Sequence, residues 1–380
     1  MKLIFTGDIN FRGTDGTASY FRSVLTEVKN RTAGADFLIP NLECPLADPA
    51  AHLPIPKSGP NLICAPSCVS VLQEMGASAV TLANNHIGDY GPGAVTETLS
   101  VLDGAGILHT GAGNDLRDAY QPVRFCKDGV SVSVFSVCEH EFGGADAETA
   151  GSAFWNERLL LEGIRREKER SRFVIVVFHG GNEYDPFPSP DTAERYRLIC
   201  DMGADCVIGG HTHCPQGCTV YHGKPIVYSM GNFLFRSAGM RADTDAWHYG
   251  YLSVLTLEDT VTFETVPYTF SPDCSRLCFL RGPQKEAFDA YLHTISALTE
   301  DSETLKNLFF GWAWLHQWIP KAERGGYGQY NLVSCEAHLS QLRALMEIYA
   351  YDRCALAAEW AEKVTAYTVM PCPNTAADCC

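Results

Sequence analysis

Arg172-Phe173-Val174-Ile175-Val176-Val177-Phe178 is followed directly by His179-Gly180-Gly181-Asn182-Glu183-Tyr184. The first stretch is the strongest buried strand that the sequence predicts, because a short apolar run rich in β-branched residues is typical of a strand covered on both faces. The second stretch is polar and begins where this strand ends. The sequence therefore predicts a buried strand that delivers a histidine to the edge of a sheet.

The same arrangement, an apolar run followed by a polar cluster, occurs five more times along the chain. These clusters are Gly7-Asp8-Ile9-Asn10, Asn41-Leu42-Glu43, Asn84-Asn85-His86 with Asp89 three residues later, Gly209-Gly210-His211-Thr212-His213 and Gly231-Asn232. In α/β sheets, ligands bind just beyond the carboxyl ends of the strands, so six such clusters predict one shared site. The spacing of His211 and His213 also places two imidazoles on the same side of an extended segment. We therefore expect a metal site built from strand ends.

Apolar runs alternate with amphipathic stretches up to about residue 230, which predicts α/β layers with a mixed sheet or two packed sheets. The predicted strands span residues 2–6, 36–40, 79–82, 130–137, 172–178, 205–208, 218–221, 225–229, 250–257 and 261–268, and the predicted helices between them span 17–31, 67–76, 93–105, 156–170 and 191–203. Beyond about residue 272 the patterns predict only helices, at 284–299, 302–318, 335–350 and 352–367. We therefore expect a main domain at 1–270 and a helical annex at 271–380.

Composition limits the classes of partner. The formal net charge is -16, and the 29 Lys and Arg residues form no basic stripe, so nucleic acid is excluded as an expected partner. Residues 1–8 run straight into the first strand, and no apolar run reaches the ~18 residues of a membrane span. We therefore expect a cytoplasmic protein whose 16 cysteines are mostly reduced. Nothing in the sequence indicates an oligomeric state.

In their order, the motifs resemble those of the capsule-synthesis CapA / PgsA family. The motifs are Gly7-Asp8, Asn41-Leu42-Glu43, Asn84-Asn85-His86-Ile87-Gly88-Asp89-Tyr90-Gly91, residues 179–184, Gly210-His211-Thr212-His213 and Ser229-Met230-Gly231-Asn232-Phe233. That family is linked to poly-γ-glutamate production and has a calcineurin-like metallophosphatase fold. The resemblance covers about residues 1–270 and implies a four-layer α/β/β/α sandwich, with the C-terminal helical annex outside it.

The resemblance also implies a set of ligands for two divalent ions. Asp8 and His213 would bind the first ion, Asn85, His179 and His211 the second, and Glu43 would replace the usual bridging aspartate. His86 would be the general acid or transition-state stabiliser, with Asp89 fixing its orientation. The candidates for substrate binding are Asn10, Glu183, Tyr184 and Asn232. Mixed nitrogen and oxygen ligands favour Mn, Fe or Zn, and a single metal is the alternative, because asparagine stands at position 10 where most metallophosphatases have histidine.

Two functions from different classes follow from this resemblance. The first is a metal-dependent hydrolase, expected to be a phosphoesterase in which bound hydroxide attacks a small phosphoester held by ions ~3.5–4 Å apart. The second is an accessory protein of poly-γ-glutamate or capsule metabolism, either non-hydrolytic or directed at amides, which binds the γ-glutamyl polymer or its synthase. A Rossmann-like nucleotide binder is excluded, because no G-x-G-x-x-G follows the first strand.

Overall fold

The computed structural model describes residues 1–12, 16–57, 59–236, 246–316 and 335–371. Its strands are β1 (Lys2–Asn10), β2 (Phe37–Leu42), β3 (Ala79–Thr81), β4 (Leu108–Thr110), β5 (Ala112–Gly113), β6 (Val123–Lys127), β7 (Val130–Cys138), β8 (Gly151–Ser152), β9 (Phe173–His179), β10 (Cys206–Gly210), β11 (Cys218–Tyr221), β12 (Lys224–Val227), β13 (Asn232–Phe235), β14 (Tyr249–Leu257), β15 (Val261–Phe270) and β16 (Leu277–Phe279). Its α-helices are α1 (Arg22–Thr32), α2 (Val69–Met75), α3 (Gly91–Ala105), α4 (Leu116–Ala119), α5 (Glu157–Lys168), α6 (Pro190–Asp201), α7 (Gly282–Glu300), α8 (Ser302–His316), α9 (Glu336–Ala350) and α10 (Cys354–Tyr367).

The first sheet has the order β16-β15-β14-β1-β2-β3-β4, and β13 also pairs with β1. One edge of β1 changes partner along its length. Residues 2–5 pair antiparallel with β14, whereas residues 8–10 pair in parallel with β13. The other edge of β1 pairs in parallel with β2. The polar end of β1 is therefore held between two parallel strands, and its Asp8 lies at a fixed place at the sheet edge.

The second sheet has the order β11-β12-β10-β9-β7-β6. Its central strand, β9, is parallel to both of its neighbours, and His179 is in register with Gly210 on one side and Cys138 on the other. Because these three strands end at the same level, the residues that follow them share one edge. That edge carries His179, His211 and Glu139, the residue after β7.

The two sheets pack face to face, with helices on their outer surfaces. Alternate residues of β1 show this arrangement: Leu3 and Phe5 belong to the hydrophobic cluster of the second sheet, whereas Ile4 belongs to the cluster that includes residues of α1, α2 and α3. Side chains of α5 and α6 pack into the cluster of the second sheet. The predicted α/β/β/α sandwich is therefore confirmed.

The annex follows β16, which still belongs to the first sheet. Its described helices α7, α8, α9 and α10 pack into the same hydrophobic cluster as the second sheet, through residues such as Phe288, Ile295 and Leu308. The predicted C-terminal helical region is confirmed, and the bounds of its helices agree with the prediction to within two residues where they are described. The division at residue 270 stays a prediction, although the sheet itself continues to Phe279.

One local prediction is wrong, and one strand was missed. The first helix begins at Arg22 rather than at residue 17, because Thr17 closes a turn by accepting hydrogen bonds from the backbone of Tyr20 and Phe21. Gly231-Asn232 comes after β12 as predicted, but Asn232 also begins β13, an unpredicted strand that pairs with the end of β1. The apolar run Phe233-Leu234-Phe235 was the overlooked signal.

The described cysteines are all free thiols, most of them buried. They therefore act as small apolar packing residues, as expected for thiols within a large core. Among the described helices, none combines the length and the apolar character that crossing a bilayer requires.

The close contact between β1 and β13 predicts the effect of a single methyl group. A Cβ added at Gly7 would lie 1.8 Å from the carbonyl oxygen of Gly231, so Gly7→Ala must push the two backbones apart. We expect a loss in the free energy of unfolding of about 1–3 kcal/mol or more, measured by urea denaturation.

Gly104→Ala is the matched control, because Gly104 lies in α3 with no heavy atom within 4 Å of an added Cβ. This variant should be neutral or stabilising by up to about 1 kcal/mol, since alanine is the better helix former. Equal effects of the two substitutions would contradict the close approach of β1 and β13.

Candidate metal centre

Two groups of buried side chains meet at the shared edge of the sheets, and Glu43 belongs to both. The first group is Asp8, Glu43 and His213, and the second is Glu43, His179 and His211. Within each group, one potential ligand atom from every residue lies within 4.8 Å of the others. The residues predicted from separate strand ends are therefore brought together.

The first group is arranged around the end of β1. The Asp8 Oδ2 atom lies 3.7 Å from His213 Nδ1, and Glu43 Oε1 lies 3.8 Å from His213 Nε2. Asp8 accepts hydrogen bonds from the side chain of Asn41 at 2.7 Å and from the backbone N–H of His211 at 3.1 Å. These bonds fix the carboxylate of Asp8 in position.

The second group lies around the ends of β9 and β10. Glu43 Oε1 is 3.6 Å from His179 Nε2, which is itself 3.2 Å from His211 Nδ1. The amide oxygen of Asn85 also lies 3.2 Å from His179 Nε2. Asn85 is thus placed to add an oxygen to this second group.

The surroundings of Glu43 fit a bound cation. Both of its carboxylate oxygens are buried and have no hydrogen-bond partner among the described residues. The nearby carboxylate of Asp8 is a second acid at the same place, and the charge of Glu43, after burial, raises the pKa of Asp8. Two buried like charges are unfavourable on their own. A divalent cation beside them would supply the missing counter-charge, and the imidazoles would supply neutral ligands.

The backbone at the site adopts unusual conformations. His211 and His213 have φ angles of 94° and 57°, and Tyr184 has a φ angle of 63°. Residues other than glycine are strained in this region, and such strain tends to be concentrated at functional sites. The left-handed turns hold the two histidines of the Gly210–His213 segment in positions that a regular strand would not give them.

A second set of polar groups contacts the far side of the histidines. The Asn232 amide oxygen lies 2.9 Å from His213 Nδ1, and Glu139 Oε1 lies 3.8 Å from His211 Nε2. Such contacts fix the ring orientation of a metal-binding histidine. Asn232, predicted to contact substrate, is fully buried behind His213, so its geometry favours orienting this ring.

His86 and Asp89 form a buried pair beside the two groups. His86 Nδ1 lies 2.7 Å from Asp89 Oδ2, and His86 Nε2 lies 3.9 Å from Glu43 Oε1. This is the orientation expected if Asp89 holds the ring and Nε2 faces the centre. Lys57, which the sequence analysis did not single out, forms an ion pair with Asp89, and its Nζ lies 3.2 Å from His86 Nδ1.

Burial lowers the pKa of the histidines in the two groups and raises the pKa of the carboxylates. Burial lowers the pKa of His179 and of His213 to about 4, and it lowers that of His211 well below the usual value. Burial and the charge of Glu43 raise the pKa of Asp8 to about 6, and burial raises that of Glu43 well above its usual range. At neutral pH the imidazoles are therefore ready to bind a metal, whereas a carboxylate must first lose its proton.

A cavity of about 820 Å³ opens onto the centre. Asn85, His86, His211 and His213 line it, and so do three of the predicted substrate-binding residues, Asn10, Glu183 and Tyr184. The annex contributes another part of the wall, through Trp312 and His316 of α8 and Cys335, Ala337, His338 and Gln341 around the start of α9. The helical annex therefore closes over the site instead of forming a separate module.

Comparison with known proteins identifies the family. The family described as "Bacterial capsule synthesis protein PGA_cap" matches residues 2–237, which is more than half of the chain. The chain belongs to the PGA_cap family. The resemblance to capsule-synthesis CapA proteins is thereby confirmed, and the matched segment contains every residue of the two ligand groups.

Curated relatives bear related names. The chain is 31% identical over 238 residues to "Capsule biosynthesis protein CapA" of Bacillus anthracis, covering 61% of this chain and 57% of that protein. It is 29% identical over 239 residues to "PGA biosynthesis protein CapA" of Bacillus subtilis, covering 62% and 57%. The chain thus spans a little over half the length of these relatives. The segment that matches the family, residues 2–237, ends before the annex of this PGA_cap protein.

Solved structures show weaker likeness. A hypothetical protein of Thermus thermophilus is 16% identical, with a TM-score of 0.46, over 70% of this chain and 98% of that chain. The 5'-nucleotidase of Candida albicans is 12% identical, with a TM-score of 0.42, over 72% and 52%. At these values neither structure bears on the function of this PGA_cap protein.

Several residues around the PGA_cap site were not found from the sequence. Glu139 obeys the rule that found the others, since it directly follows the strand Val130–Cys138, and that signal was overlooked. Asn41 was quoted within a motif but not assigned a role. Lys57 lies in an irregular loop, and Trp312 lies in an annex helix with no chemical motif. Only the tertiary structure connects Lys57 and Trp312 with the site.

The raised pKa values predict that metal binding releases protons. At pH 7 the histidines are already neutral, so protons released on binding should come from the carboxylates, whose pKa values are raised; below about pH 6, Asp8 in particular should carry a proton that the metal displaces. Affinity for Mn²⁺ should therefore fall as the pH decreases through 6. Calorimetric titration in buffers with different ionisation enthalpies measures both the affinity and the protons released.

Glu43→Gln supplies the control for this titration, because it keeps the shape of the side chain and removes its proton. The variant should bind Mn²⁺ more weakly and release fewer protons at pH 7. Release that is unchanged in this variant, or an affinity that falls only near pH 4, would assign the proton to the histidines and contradict the direction of these pKa shifts.

Proposed function

We propose that this PGA_cap protein is a metal-dependent hydrolase of phosphoesters. The observation that carries the proposal is that Glu43 belongs to two ligand groups at once. A carboxylate shared by two groups is the arrangement that brings two cations close together, and paired cations are typical of enzymes that hydrolyse phosphoesters. The ligand residues are buried, so a bound ion would be held in a site of fixed geometry.

The residues divide between the two positions. Asp8 and His213 would hold one divalent ion, and Asn85, His179 and His211 would hold the other, with Glu43 common to both. When bound, such ions would polarise a phosphoryl group and lower the pKa of a water molecule. The mixture of imidazole nitrogen and carboxylate or amide oxygen suits Mn, Fe or Zn.

His86 is the residue we assign to proton transfer. Because Nδ1 lies 2.7 Å from Asp89 Oδ2, it carries a proton toward that carboxylate, and Nε2 presents a lone pair toward the centre. Burial and the nearby Lys57 lower the pKa of His86 to about 4, so the free ring is neutral at pH 7. An anionic substrate beside the ring would favour uptake of a proton at Nε2, from where the proton would pass to the leaving oxygen.

The proposal predicts turnover of a chromogenic phosphodiester such as bis(p-nitrophenyl) phosphate when Mn²⁺ is added. His211→Ala should lower kcat/KM by at least about a hundredfold, since the loss of even an outer partner of a ligand costs 10–100-fold. His52→Ala is the matched control, because His52 pairs with Glu97 away from the residues that line the cavity. This control should retain the wild-type rate.

Metal content must be measured for each protein in the same experiment. No turnover by wild-type protein that holds two metal ions would contradict the phosphoesterase, and turnover that survives His211→Ala would show that another site or a contaminant is responsible. Equal loss in both histidine variants would point to damage that is not specific to the metal centre.

A second candidate is action on a γ-glutamyl amide or binding of poly-γ-glutamate, as an accessory protein of capsule metabolism. The family description and the names of the curated relatives favour this candidate. Incubation of the metal-loaded protein with poly-γ-glutamate, followed by size analysis of the polymer, separates the alternatives. Shortening of the polymer would support amide hydrolysis, and retention of the polymer without cleavage would support the binding role.

A further inference from the structure

The cavity above the candidate metal centre contains hydrogen-bond donors that have no acceptor among the described residues. Lys57, Asn182 and Trp312 all line this cavity. They come from three parts of the chain: the loop before α2, the segment after β9 and helix α8 of the annex. No motif relates the three residues, and none of them belongs to the two ligand groups.

Lys57 is the most unusual of the three donors. Its side chain is only 2% exposed, although it carries an ammonium group with three protons. Among the described residues, its Nζ contacts the Asp89 carboxylate and His86 Nδ1. The proton of His86 Nδ1 already points toward Asp89, so that nitrogen has no lone pair to offer. Lys57 also has its Nζ 5.2 Å from the centroid of the Phe142 ring, but it keeps two N–H groups without an oxygen or nitrogen acceptor among the described residues.

The loop that carries Lys57 is fixed firmly in place. The backbone oxygen of Asp89 accepts hydrogen bonds from Ile55 N at 2.9 Å and from Asn61 Nδ2 at 3.0 Å. The carboxylate of Asp89 also accepts one from Leu62 N at 2.7 Å. Asp89 thus anchors the loop on both sides of Lys57, and the ammonium is held at the cavity wall in advance of any ligand.

Asn182 and Trp312 supply the other two donors. Both residues are more than nine-tenths buried, at 4% and 5% exposure. The amide nitrogen of Asn182 and the indole nitrogen of Trp312 have no hydrogen-bond partner in the part of the chain that the structure describes. A buried donor without an acceptor is costly, and three of them around one cavity call for a ligand rich in acceptors.

We propose that Lys57, Asn182 and Trp312 form a binding subsite for an anionic oxygen-rich group of the substrate, beside the metal centre. This inference deepens the proposed function and rests on it for the identity of the group, a phosphoryl oxyanion. Glu141 and Glu183 also line the cavity. Their charges would repel an anion elsewhere and so confine it to the donors. The annex takes part in recognition through Trp312, which lies outside the segment that matches the family.

The test measures binding of inorganic phosphate by calorimetry to the full chain loaded with Mn²⁺. Lys57→Met should weaken phosphate binding at least about tenfold, because it removes a charge-assisted donor, and Lys57→Arg should restore most of it. Trp312→Phe should weaken binding several-fold, because it removes the N–H and keeps an aromatic ring. Lys168→Met is the control, because Lys168 pairs with Asp205 and is not among the residues that line the cavity. It should bind phosphate like the wild type.

Two comparisons make the outcome decisive. Metal content and the unfolding temperature are measured for every variant, and Trp312→Phe tests the subsite even if Lys57→Met does not fold. Phosphate affinity within twofold of the wild type in Trp312→Phe and in every folded Lys57 variant, at equal metal content, would overturn the subsite.

A parallel titration with γ-glutamylglutamate distinguishes a phosphoryl from a carboxylate ligand. If Lys57→Met weakens binding of γ-glutamylglutamate but not of phosphate, the donor subsite is supported with a carboxylate ligand, and its phosphoryl assignment is contradicted. Weakened phosphate binding in a protein that hydrolyses no phosphoester would support the subsite while the proposed function fails. If Lys57→Met hydrolyses phosphoesters at the full rate and binds phosphate as the wild type does, the subsite is contradicted and the proposed function stands.

Discussion

Glu43 places a carboxylate in the interior with no donor among the described residues, between histidines of two different segments. A buried charge of this kind is tolerated only when something compensates it. The fold brings Asp8, another acid, to the same place, which makes compensation by the protein alone still less favourable. The architecture is therefore explained most simply as a scaffold that holds this carboxylate for cations. The parallel pairing of β1, β2 and β13 and the level ends of β7, β9 and β10 all serve to fix the groups around it.

The ligand residues could be predicted from the sequence because one physical rule governs them. Polar residues at the ends of buried strands are expected at the edge of a sheet where ligands bind, so Asp8, Glu43, His179, His211 and His213 could be associated without coordinates. The same rule also applies to Glu139, which directly follows β7. Glu139 was missed because the rule was not applied to this strand. The sandwich of sheets followed from the same alternation of strands and helices.

Other features depend on packing that no local pattern encodes. Lys57 lies in a loop whose path is set by hydrogen bonds to Asp89, a residue far along the sequence. Trp312 reaches the cavity only because α8 packs on the second sheet. Asn232 was recognised as part of the site, but the direction of its side chain depends on β13 pairing with β1, a strand that the pattern did not predict. Sequence reasoning thus predicted the buried groups that could hold a metal more readily than the residues that contact them or line the cavity.

The annex forms part of the wall of the cavity beside the candidate metal centre. Its helix α9 is tied to the main domain by ion pairs of Glu336 with Arg195 and with His140, and by a hydrogen bond from Ser340 to Asp191. These contacts hold the start of α9 against the cavity wall. The two groups of candidate ligands lie within the segment that matches the PGA_cap family, whereas the annex, which adds Trp312 to the cavity wall, lies outside that segment.

Metal analysis of the full chain purified without chelator tests the central claim most directly. Mass spectrometry of the metals in wild-type protein and in Glu43→Gln should find two divalent ions per wild-type chain and a loss that affects both positions in the variant, because both ligand groups include Glu43. Wild-type protein with one ion or none, or a Glu43→Gln variant that keeps two, would contradict a shared carboxylate at the centre of this site.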